Sequence, residues 1–147
     1  AEISIVVDRA WNDQPRSIEE SQTNKPDLVV TNQPPQTGYR FLPMIEGTSL
    51  ARIGRNLSPQ EADGEFVGLA MFSEAGAQLL RQTHREICKQ PQAGRWHESE
   101  SLEKAAFTDI LQELVNRDHQ VACVDIYKGW LEIDTFEDYR RAWAKVK

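Results

Sequence analysis

Cysteine is scarce in this chain: Cys88 and Cys123 are the two in 147 residues. They have no metal-ligand spacing and no disulfide framework, so they read as free thiols of a reducing cytoplasm. Long apolar runs are missing too. None approaches the ~20 residues that span a bilayer, and no basic stretch followed by an apolar one marks a signal peptide. Positive charge is in deficit: 17 Lys and Arg against 23 Asp and Glu give a net charge of −6. That balance removes nonspecific nucleic-acid binding, which needs a basic footprint, and disfavours anionic membrane surfaces. Glycine-rich phosphate loops of either familiar kind do not occur. The serines lack a Gly-x-Ser-x-Gly setting, and His84, His97 and His119 lie in uninformative surroundings, so no nucleophile triad can be argued.

What remains has room for one domain with a real core, 1–147, carrying a loop and strand insertion at about 12–63. Ile3 to Asp8 is a short apolar run that reads as a strand, and Asp8-Arg9 at its end either terminates it in solvent or faces a ligand. Asn12 to Pro26 is polar and reads as a loop. Strands are expected at Asp27–Thr31 and Tyr39–Ile45, with a weakly extended Ser49–Gly54. Arg40, Arg52 and Arg55 are the basic residues of this region, solvated unless a phosphate meets them. Gly64 to Phe72 is the most apolar run and predicts a central strand buried on both faces. Gly68 within it marks either a β-bulge or the close approach of a ligand.

Ser73 is placed to cap a helix running to about Cys88, with Ala77, Leu80, His84 and Ile87 on its inner stripe. Trp96, in a loop from Gln90 to Glu100, is expected to cover something, such as a partner subunit. Ser101 to Asp118 is the strongest helical pattern. The element order predicts an α/β layered mixed sheet with flanking helices.

The last third carries the chemistry. Val121 to Tyr127 reads as a buried strand, Lys128-Gly129 as a turn, and Trp130 to Asp134 as a second strand. On such a strand Glu132 and Asp134 would point to one side, about 6.6 Å apart. Two carboxylates there can hold a hard divalent cation; the plain alternative is a solvated Glu132 and an Asp134 that only helps cap the next helix. Thr135 and Asp138 form a near capping box for a helix bearing Phe136, Tyr139, Ala142, Trp143 and Val146.

Gly129-Trp130-Leu131-Glu132-Ile133-Asp134-Thr135-Phe136-Glu137-Asp138 resembles the C-terminal motif of the sugar-phosphate nucleotidyltransferase-like superfamily. The match is to the group associated with phosphonate and phosphocholine chemistry, including domains fused to phosphoenolpyruvate mutase. Ile3–Trp11 and Gly64–Ser73 fit in order and spacing. The resemblance implies the C-terminal half of a Rossmann-like nucleotidyltransferase domain. It also implies transfer of NMP, with CMP favoured by that analogy, from a nucleoside triphosphate to a small phosphate- or phosphonate-bearing acceptor. By the same resemblance Asp134 would ligate Mg2+, with Glu132 assisting, and Glu65 and Gly68 would line the acceptor side. The family's phosphate loop and its mid-domain metal-binding Asp have no counterpart here, so the isolated chain is expected to be inactive without an N-terminal half. The alternative is a non-catalytic binding or oligomerisation module, a homodimer formed through the first strand.

Overall fold

The computed structural model describes residues 1–13, 25–33, 47–89, 94–133 and 135–146. Strands β1 (Ile3–Asp8), β2 (Leu28–Thr31), β3 (Leu50–Gly54), β4 (Gly64–Phe72) and β5 (Ala122–Ile126) form one mixed sheet in the order β3-β2-β4-β1-β5. Helices α1 (Glu74–Lys89), α2 (Phe107–Asn116) and α3 (Phe136–Val146) accompany it. This is the expected α/β layered fold. The stretch Tyr39–Ile45, expected as a strand, lies outside the described residues.

β1 alternates, sending Ile3, Ile5 and Val7 inward to full burial, as a half-buried strand should. They pack with Val29, Leu50, Ile53, Phe66, Leu111, Leu114 and Val121 into the core. β1 pairs antiparallel with β4 on one side and parallel with β5 on the other. The first strand is therefore central, and it has no free edge through which a homodimer could add. The sheet also curls back on itself. Ser49, just before β3, bridges to Ala122 at the start of β5, with Leu50 N–H donating to Val121 O at 2.8 Å and Cys123 N–H to Thr48 O at 2.9 Å.

Two expectations need correction. β4 is buried only over Gly64, Glu65 and Phe66; Leu69 and Met71 further along are 61% and 71% exposed. The register against β1 slips between Ile5 and Val7 where extra β4 residues bulge; beyond the slip Ala70 and Phe72 still pack on the core, Phe72 edge-on to Phe107 of α2, while Leu69 and Met71 face out. The long helix from Ser101 also breaks. A 3-10 turn at Leu102–Lys104 precedes α2, because Ala106 is extended and its N–H donates to the buried Asp109 carboxylate at 2.9 Å. Glu98 N–H and Ser99 Oγ–H donate to the same carboxylate, so Asp109 organises the approach to α2. Trp96 is buried within its own chain, edge-on to His97.

The caps follow the sequence closely. Ser73 Oγ accepts Gly76 N–H at 3.1 Å at the start of α1. Thr135 Oγ1 accepts Asp138 N–H at 3.2 Å while Asp138 Oδ2 accepts Thr135 N–H at 2.9 Å, a complete capping box. Among the described residues no helix is long and apolar enough to cross a membrane.

Candidate functional site

β1 and β5 run side by side in the same direction, so their carboxyl ends open onto one place. In α/β sheets ligands bind outside such ends. Here the place is lined by Asp8 and Arg9 leaving β1 and by Asp125 and Tyr127 at the end of β5.

Asp8 is 4% exposed and fully engaged. Its Oδ1 accepts Ala10 N–H at 2.9 Å and Lys128 N–H at 3.0 Å, and its Oδ2 accepts the Trp130 indole N–H at 2.9 Å. Arg9 is buried as well, with Nε 2.9 Å from Asp125 Oδ1 and Nη1 donating to Thr31 Oγ1 at 3.2 Å and to the Asp63 carbonyl at 3.3 Å. The Arg9–Asp125 contact is an ion pair without hydrogen-bond alignment. Asp63 Oδ2 in turn accepts Thr31 N–H at 2.7 Å. Asp8-Arg9 thus neither ends the strand in solvent nor lies open to a ligand; it is the internal tie of the site.

Two further groups of the same end are shifted by burial. Desolvation pushes the Cys123 thiol up to about 12, with Arg9 partly opposing it. The Tyr127 hydroxyl is raised by burial and by the Asp125 charge, against Arg9, and finds no hydrogen-bond partner among the described residues.

The motif loop follows directly. Lys128 and Gly129 have φ of 62° and 90°, a left-handed pair that swings the chain back across the end of β1. Trp130 then docks on Asp8. Of the second strand expected at Trp130–Asp134, the described residues Trp130–Ile133 form no strand. β5 already has β1 on one side and the Thr48–Leu50 segment on the other, so no ladder is open to it. Glu132 lies exposed in the loop between exposed Leu131 and Ile133. Asp134, and with it the expected same-side pair with Glu132, lies outside the described residues. Arg55 is raised by its hydrogen bond and charge contact with Asp27, and the charges of Glu132 and Glu98 add to this, which places Glu132 within electrostatic reach of Arg55.

No family model, curated protein or solved structure matches this chain.

The other predicted residues separate. Glu65 is buried on β4 at the register of Asp8, whereas Gly68 is exposed in the bulge with φ +81° and open space where a Cβ would sit. The bulge, one of the two readings of Gly68, is present as the register shift against β1. Among the described residues no three His, Cys, Asp or Glu side chains are placed to hold a metal ion. Glu132 is the one described carboxylate of Trp130–Ile133, so the described residues do not by themselves make a magnesium site, and no chemical step is derived through that ion.

Sequence reasoning missed Thr31, Asp63 and Asp125 as partners of Arg9. One signal was present: Asp125 interrupts an otherwise apolar strand, and an acid there needs a cation. The pairing with Thr31 and Asp63 depends on chain segments far apart in sequence and left no local trace.

Proposed function

We propose that this chain is part of a nucleotidyltransferase, moving NMP, with CMP favoured by resemblance, from a nucleoside triphosphate to a small phosphate- or phosphonate-bearing acceptor. The observation that supports the reading is the fastening of Lys128 and Trp130 to Asp8. It presents the motif loop, with Glu132, at the carboxyl ends of the parallel β1–β5 pair. The triphosphate cradle is a part these residues do not supply, so turnover by this chain alone is not expected. The role of its own residues is to bind and orient: Arg55 and Lys128 are the cations near the loop, and Glu132 gives that surface its acid.

The test is calorimetric titration with CTP, with and without magnesium, on the wild type and on Asp134→Ala. Magnesium-dependent binding that is lost in the variant supports the reading. No binding to the wild type under either condition overturns it.

A second reading has its own support. Leu131, Ile133, Phe136, Tyr139 and Trp143 all stand exposed along the loop and α3, Phe136 by 76%. Contiguous exposed apolar surface marks interaction sites, which suits a binding module derived from the same fold. Light scattering that finds a strict monomer argues against self-association through this face.

A further inference from the structure

We infer that Asp8 and Trp130 form a latch, with Asp8 the positioning residue that sets where Trp130–Ile133 lies over the ends of β1 and β5. The inference rests on the reading of that loop as the nucleotide-handling surface. Asp8 touches no proposed ligand; it acts through Trp130 and Lys128.

Three observations carry it. The Asp8 carboxylate is buried, and two of its three bonds reach across 120 and 122 residues to the motif loop. Both of its oxygens are engaged by protein donors, which leaves the group committed to holding and not to ligating. The loop is not held by a sheet ladder: Lys128 and Gly129 take left-handed backbone, no strand pairing follows over Trp130–Ile133, and Leu131, Glu132 and Ile133 are exposed. Hydrogen bonds to a charged acceptor are the strong kind, and this one fixes a ring at the mouth of the site.

Trp130→Phe keeps the ring and removes the indole N–H. Asp8→Asn keeps the shape but turns one acceptor into a donor that cannot receive it. The measurement is amide and indole hydrogen exchange by NMR, with CTP titration beside it. In the wild type the Trp130 indole proton should exchange slowly. In Trp130→Phe the Lys128 amide, which donates to Asp8 Oδ1, should exchange at least about tenfold faster as the latch loosens. Amides of β1, β4 and β5 should stay protected, and CTP affinity should fall by a similar factor.

Loop exchange unchanged in Trp130→Phe overturns the latch. Unchanged CTP affinity with a loosened loop overturns the positioning role. Because Asp8→Asn disturbs a buried group and can cost the fold, Trp130→Phe is the deciding variant. A wild type that binds no CTP removes the functional reading instead, and the exchange data still judge the latch.

Discussion

At the carboxyl ends of β1 and β5 charged side chains are inside, while along the last helix aromatic side chains are outside. The Arg9 side chain is 2% exposed and surrounded by Asp125, Thr31 and Asp63, whereas Phe136, Tyr139 and Trp143 form a partly stacked row with centroids 6.2 Å apart, facing solvent. The two regions invert the usual assignment of residue types to interior and surface. The buried end is held by specific polar partners and suffers when any of them is lost. The exposed row turns much of its ring area to solvent. The comparison also separates two kinds of evidence: a buried charge speaks first of architecture, an exposed apolar row first of recognition.

The comparison breaks or sharpens under four measurements. The largest effect is expected from Arg9→Leu, which leaves the half-buried Asp125 without its cation and should cost about 3 kcal/mol in urea unfolding. Adding Asp125→Leu should recover part of that loss; a double variant no better than the single would mean that Asp125 is not the partner that matters. Next comes acid stability. Burial raises the Glu113 carboxyl, but hydrogen bonds and charge from Arg117 and His97 outweigh it, so its folded value lies below the ordinary 4.5. A depressed carboxylate stabilises the fold above its unfolded value and loses that contribution as the pH falls through the folded one. Glu113→Gln should therefore lower stability at pH 7 by less than about 1 kcal/mol, since the group is partly solvated, and flatten the decline below about pH 4.5.

Smaller still, Trp143→Ser should move the unfolding free energy by no more than about 0.5 kcal/mol, as for other surface positions. A loss several times larger would place the aromatic row in the core and undo the contrast. Last, a thiol reagent at pH 8 should label Cys88 and leave Cys123 unmodified in the folded protein, with no change in stability. Cys88 is exposed beside His84, while burial holds the Cys123 thiol near 12.

Local signals carried much of the fold. The strand at Ile3–Asp8 and the caps Ser73 and Thr135 with Asp138 are settled by neighbours within a few residues, and each stands where the pattern places it. Failures arose where distant segments decide. Trp130–Ile133 has strand-like composition, but its pairing slots are filled by β1 and by Thr48–Leu50, and its ring is claimed by Asp8. Gly64–Phe72 is the most apolar run, yet past its bulge only Ala70 and Phe72 pack on the core while Leu69 and Met71 face out. Of the candidate site, the motif was visible and its support was not. Asp8-Arg9 gave no sign of being buried, because the groups that satisfy it come from β2, β5 and two loops.

The outer rim of β3 has a consequence for how the molecule behaves in a crowd. Leu50 N–H is used by Val121, Ile53 N–H by the Gln112 side chain at 2.8 Å, and Arg55 and Asn56 N–H by the Glu98 carboxylate. A neighbouring polypeptide arriving in extended form meets those donors already occupied, so sideways growth into fibrils finds no template along this margin. Freeing Ile53 by Gln112→Leu would restore one rung of that template.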